Sequence, residues 1–202
     1  LFDGKDYASM SSSDPDKYKF IEYHKWKFKA KIFSPLAPLT VKRTPVLMTR
    51  VEYGFLGSYN KYKKSPFETF YMGGDGMSGY SSTYATETIG LRGYENGSIA
   101  GNGGYNSYGY AYSRLSMELR YPFLLEPSST IYGLVFVEAG NAWRDLKDFN
   151  PFQLKRSAGV GVRIFLPMIG LMGIDWAYGF DRPDGYDQRG GSNFHFIIGQ
   201  EF

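Results

Sequence analysis

The stretch YKFIEYHKWKFKAKIF, residues 18–33, alternates with a period of two. One face reads Tyr18, Phe20, Glu22, His24, Trp26, Phe28, Ala30 and Ile32. The other reads Lys19, Ile21, Tyr23, Lys25, Lys27, Lys29 and Lys31. A period of two is the signature of a strand. The run Lys25, Lys27, Lys29, Lys31 on one side cannot sit in a packed core, because an unpaired buried charge is prohibitive. These lysines need water, and their aromatic neighbours need apolar surroundings.

Working outward, the spacing predicts further strands at about 41–57, 66–73, 110–122, 130–143, 154–167, 171–181 and 192–202, eight in all with the first. Their faces divide in the same way. Val160, Val162 and Ile164 oppose Gly159, Gly161 and Arg163; Met172, Ile174, Trp176, Tyr178 and Phe180 oppose Gly173, Asp175, Ala177 and Gly179. Phe194, Phe196 and Ile198 oppose Asn193, His195 and Ile197. One greasy and one small-or-polar face per strand fits a membrane barrel with lipid outside and a wet lumen. A soluble sandwich, whose greasy faces pack on each other, is the alternative. Strands of 10 or more residues, with Tyr and Trp near their ends, favour the barrel.

Composition agrees. The chain of 202 residues carries 3 Trp, 18 Tyr, 16 Phe and 25 Gly, as a tyrosine- and glycine-rich β-protein would. A net charge of +3 is too balanced for a nucleic-acid binder, and no nucleic-acid partner is expected. The lack of cysteine excludes a disulfide scaffold, a thiolate zinc site and a cysteine nucleophile. The longest apolar run, residues 164–180, is broken by Pro167, Gly170, Gly173 and Asp175, so no spanning helix is read, nor is a signal peptide at the start. That absence is uninformative about barrels, which cross with strands.

Residues 73–109 form a long glycine-rich connection, and such a length inside a domain argues for disorder or for function. In its middle stands Leu91-Arg92-Gly93-Tyr94. This stretch resembles the (V/I/L)-R-G-(F/Y) motif of the BamA family of outer-membrane β-barrel assembly proteins. Other pieces follow in that family's order: residues 116–122 (SMELRYP), residues 136–143 (FVEAGNAW), residues 157–161 (SAGVG) leading to Pro167, and a final strand ending at Phe202. One motif alone is weak, but several in order are specific. The match is best over residues 66–202.

The resemblance implies an all-β, antiparallel transmembrane β-barrel of which residues 1–202 are the C-terminal half, eight strands of 16. It implies a lumen-inserted loop at about 74–109, with POTRA domains and the first strands expected upstream. A closed eight-stranded barrel is the structural alternative. The family's loop arginine pairs with acids on the next strands, which carries over to Arg92 with Glu118 and Glu138. Alternation supports this independently: Glu118 shares a face with Arg114, Ser116 and Arg120, and Glu138 opposes Val135, Val137 and Ala139. Three unrelated solvated charges would be the plainer explanation.

Catalysis is not expected. His24 and His195, the sole histidines, fall on opposite kinds of face, which leaves no serine–histidine pair. Glu118 and Glu138 would both stay ionised with Arg92 between them. Asp181, Asp184 and Asp187 miss the spacing of a calcium loop and suit a hairpin turn. No metal and no cofactor are therefore expected. What the resemblance implies is non-enzymatic folding and insertion of β-barrel clients into the outer membrane of a Gram-negative bacterium. The expected partners are unfolded clients, accessory assembly-complex lipoproteins and outer-membrane lipid. Alternatives are a secretion pore or narrow-client translocase, a passive porin-like barrel, or a lipid-modifying barrel enzyme. The last strand, with Phe194, Phe196, Ile198 and Phe202, looks like a barrel-closing strand, and Gly199 would weaken and kink its end.

Overall fold

In the computed structural model, residues 6–11, 14–38, 40–76, 87–99, 108–126, 128–168 and 170–199 are described. The alternating stretch at the start becomes β1 (Tyr23–Pro35), preceded by a single 3-10 turn at Pro15–Tyr18. It pairs with β2 (Val46–Ser58). Then come β5 (Ala111–Glu126), β6 (Ser129–Trp143), β7 (Lys155–Leu166), β8 (Gly170–Gly179) and β9 (Gly191–Ile198). These strands form one antiparallel sheet of order β1-β2-β5-β6-β7-β8-β9, with β1 and β9 at its open edges. Each strand neighbours the next in sequence except where β3 (Phe70–Met72) and β4 (Glu87–Ile89) interrupt, forming a separate parallel pair.

The sheet therefore has seven strands where the sequence predicts eight. The expected strand at 66–73 shrinks to the three residues of β3 and leaves the sheet. The backbone explains this. Pro66 lacks an N–H, Glu68 takes a φ of 63°, and Gly73 and Gly74 follow with φ of 126° and 72°, so no long extended run can form. Phe70, Tyr71 and Met72 are all buried, without the alternation of a half-buried strand. They belong to the inserted segment, not to the wall.

Alternation elsewhere divides the sheet as the pattern requires. Outward on β1 lie Trp26, Phe28 and Ile32, with Trp26 at 69% exposure. On the same strand's inner face, Lys25 bonds Glu68 and Glu87 (both 2.8 Å), Lys27 bonds Glu87 (2.9 Å) and Lys29 bonds Glu52 (2.9 Å). On β9, Phe194 is 65% exposed while His195 is 5% exposed. The inner face is capped by the segment between β2 and β5. Its Phe70, Met72, Ile89, Leu91, Tyr94 and Ile99 pack against Leu56, Tyr112 and Ala142 of the sheet. Burial of these apolar groups, at roughly 25 cal/mol per Å², holds the inserted segment on the inner face.

The two ends of the sheet differ. The chain passes from β1 to β2, from β5 to β6 and from β7 to β8 at one end, and from β2 towards β5, from β6 to β7 and from β8 to β9 at the other. Near the second end Phe149 packs edge-on to Tyr53, Phe55 and Trp143, and near the first end Tyr121 packs on Phe123. Aromatics near both ends of an apolar band, and the longest connection at one end against the two tightest turns at the other, suit a transmembrane barrel wall.

The native chain has no cysteine, so single cysteines report cleanly on this two-sided wall. In lipid bilayers, cysteines at positions 194 and 196 should react with membrane-dissolved maleimides, and one at 27 with water-soluble reagents. The reverse pattern would show that the faces are inverted.

Candidate functional site

Arg92 stands between Leu91 and Gly93 in the inserted segment, and its side chain is fully buried. A guanidinium presents five N–H donors in a plane and needs acceptors wherever water is absent. Three strands supply them. Nη2 donates to Glu118 Oε1 of β5 (2.5 Å) and Glu138 Oε1 of β6 (2.8 Å), and Nη1 donates to Asp175 Oδ2 of β8 (3.0 Å). The Arg92 backbone N–H donates to the other Glu138 oxygen at 3.0 Å. The guanidinium carbon lies 3.4 Å from the ring centre of Phe136, which adds a cation–π contact.

Each carboxylate has further donors. Glu118 accepts from Arg120 Nε (2.9 Å) and Nη2 (2.7 Å). Glu138 accepts from Arg114 Nη2 (2.9 Å) and Ser116 Oγ (3.1 Å). Asp175 takes a bidentate pair from Arg163, at 2.6 and 2.7 Å. Strand register makes this possible: Ser116 lies opposite Glu138 across β5–β6, and Gly161 lies opposite Asp175 across β7–β8. Gly159 and Gly161 leave the space that Phe136 and Asp175 fill, since a Cβ at either would come within 3 Å of them.

Gly93 and Tyr94 finish the seat. The Gly93 N–H donates to His195 Nε2 (2.9 Å), and its carbonyl accepts from Asn193 Nδ2 (3.0 Å). With φ at +88°, Gly93 adopts a backbone that L side chains avoid, and a Cβ there would lie 2.9 Å from the Gly179 nitrogen and the Ser157 Cβ. Tyr94 Oη donates to the Arg156 carbonyl (2.7 Å), and burial pushes its hydroxyl up to about 12, which keeps it a donor. At the neighbouring turn, hydrogen bonds from Arg156 hold the Asp181 carboxyl below its ordinary range.

The residues singled out from sequence are thus placed as follows. Leu91, Arg92, Gly93, Tyr94, Glu118 and Glu138 meet in one inner-face cluster. Phe194, Phe196 and Ile198 point outward on β9, away from it. Gly199 has a φ of +74° and still donates its N–H to Leu171 O at 2.7 Å, on the β8 side. Phe202 lies outside the described residues, as do 77–86 and 100–107 of the long loop. Asp181 and Asp184 are occupied by Arg156 and Lys155. Sequence reasoning placed Asp175 and Arg163 on the inner face without linking them to Arg92, and it assigned His195, Asn193 and Phe136 no part in the latch. The available signal was a lone acid among the glycines and alanine of β8.

An open antiparallel wall, greasy outside, with an inserted loop locked by arginine to its inner face, defines an outer-membrane-type barrel with an internal loop latch. The Omp85 superfamily domain matches residues 17–202, and the chain belongs to that superfamily. Among solved structures it is similar to BamA from Haemophilus ducreyi lacking POTRA domains 1–3, at 21% identity and a TM-score of 0.56. The similarity covers 87% of this chain and 35% of that one, so the chain spans about a third of that relative's length. A search of curated proteins finds no match. The BamA-like character read from the motifs is upheld at the level of the family.

Arg92→Ala would leave Glu118, Glu138 and Asp175 facing each other in a dry site, a loss of about 3–5 kcal/mol for a buried pair broken on one side. Urea unfolding of the purified barrel should show it, and Arg92→Lys should recover only part, having no planar fork. Gly93→Ala should destabilise by about 1–3 kcal/mol through strain at positive φ. Wild-type stability in both variants would mean that the latch does not seat the loop.

Proposed function

We propose that this chain is the C-terminal half of the barrel of an outer-membrane assembly factor, which folds and inserts β-barrel clients without a cofactor. The observation that carries the reading is the Arg92 latch: a loop fixed to three strands of the wall beside an open sheet edge at β9. A passive pore has no evident need for a loop locked so deeply. The longer connections, at the 59–110 end, would face outward, and the short turns would face the periplasm, as in outer-membrane barrels generally. POTRA domains and the first barrel strands would precede this segment in the whole protein. Clients, accessory lipoproteins and outer-membrane lipid of a Gram-negative cell would be its partners.

The proposed role of the seam follows from β9. Its outer edge has no ladder partner among the described residues, and Gly199 turns the chain at its end. Such an edge can take an incoming strand by main-chain hydrogen bonds. Outward Phe194, Phe196 and Ile198 would keep that strand at lipid depth.

A disulfide between position 195 or 197 and the first strand of the full-length barrel tests this. Under oxidising conditions client assembly should fall at least several-fold and recover on reduction. Undiminished assembly by the locked barrel, with altered conductance instead, would favour a secretion pore or porin-like role.

A further inference from the structure

A second polar site lies on the inner face, apart from the Arg92 seat. Between β1, β2, β5 and the inserted segment is a cavity of about 180 Å³, walled in part by Lys27, Lys29, Arg50, Glu52, Glu87 and Arg114. Arg50 is 1% exposed, and its Nε and Nη2 are buried without a hydrogen-bond partner among the described residues. Its nearest carboxylate oxygen, Glu52 Oε1, is 3.9 Å from Nε, beyond hydrogen-bonding distance.

Most of the buried carboxylates lie elsewhere. Four carboxylates are buried among the described residues: Glu52, Glu118, Glu138 and Asp175. Three of them gather round Arg92. Glu52 lies 2.9 Å from Lys29, 3.8 Å from Arg114 and 3.9 Å from Arg50, and its Oε1 is itself buried without a hydrogen bond of good geometry among the described residues. Glu87 on the wall is already taken by Lys25 and Lys27. Asp75, which has partners of its own, also lines the cavity.

We propose that this cavity binds a small phosphate-class oxyanion, held by Arg50 with Lys29 and Arg114. Water can accept from the unmatched donors but adds nothing to the partial charge offset that Glu52 gives Arg50 at 3.9 Å. An oxyanion does both, and arginine's fork suits it. The volume equals that of about six waters at ~30 Å³ each, enough for a phosphate with part of its hydration. Free phosphate and a lipid headgroup share this chemistry; neither depends on the assembly role proposed above.

The test is thermal unfolding of the purified protein in phosphate-free detergent. Inorganic phosphate or a short-chain phosphatidylglycerol is titrated against chloride at matched ionic strength. Stabilisation by inorganic phosphate beyond chloride is expected; stabilisation by the lipid alone would assign a headgroup phosphate to the same site. Arg50→Gln should weaken the response about tenfold, equivalent to 1.4 kcal/mol, while Lys155→Gln, at the start of β7 and outside the cavity lining, should not change it. Should Arg50→Gln fail to fold, Lys29→Gln decides, with a several-fold weakening expected. Equal responses to phosphate and chloride, or an unaltered response in the variant that folds, would overturn the site.

Discussion

A buried cation must find acceptors, and Arg92 finds them on three strands at once. Glu118, Glu138 and Asp175 come from β5, β6 and β8, so the guanidinium ties the inserted loop to most of the width of the wall. The arrangement is demanding because each carboxylate is itself buried and must also be satisfied. Arg120, Arg114 with Ser116, and Arg163 do that. A buried charge network of this kind is weak as net stabilisation but exacting as a specification of register, since a partly satisfied version would be worse than none. The glycines opposite Phe136 and Asp175, and Gly93 against Gly179, are the steric counterpart of that electrostatic demand.

The rest of the wall follows from asking where charge can go. With lipid on one side, outward positions carry Trp26, Phe28, Val135, Val137, Trp176 and Phe194, and the charges of mid-strand lie on the inner face, with the exposed Arg156 at one end of β7. There the lysines of β1 meet Glu68 and Glu87 from the inserted segment, so that segment is clamped at two places: by Lys25 and Lys27 near the β1 edge and by Arg92 further along the sheet. Apolar packing around Phe70, Leu91 and Ile99 fills the space between. Loop and wall are one folded unit, and the β9 edge remains the part of the wall without a partner among the described residues.

Much of this was legible in residue order. Alternation at 18–33 and 192–198 put lysines inside and aromatics outside, because a strand's side chains can only point two ways. Glu118 and Glu138 were identifiable as inner-face acids on the same ground. The segment 66–73 misled, because its hydrophobic residues resemble a strand while the positive φ of Glu68 and the glycines after it, visible only in the folded backbone, cut that strand to three residues. Asp175 was on the right face but without a role, because its separation from Arg92 in sequence carries no signal of contact.

The resemblance of residues 91–94 to a family motif supplied the inserted loop and its arginine; the sequence by itself determined the class of wall and the identity of its two faces. Those are local properties, set by side-chain period and by the chemistry of single residues. Only the tertiary structure decided the seven-stranded order, the parallel β3–β4 pair, the third carboxylate at Asp175 and the place of His195 and Asn193 under Gly93. It also decided that Arg50 Nε and Nη2 should be buried without a hydrogen-bond partner among the described residues. Those depend on strand register and on which distant groups share one dry space, and neither is written in the spacing of residues along the chain.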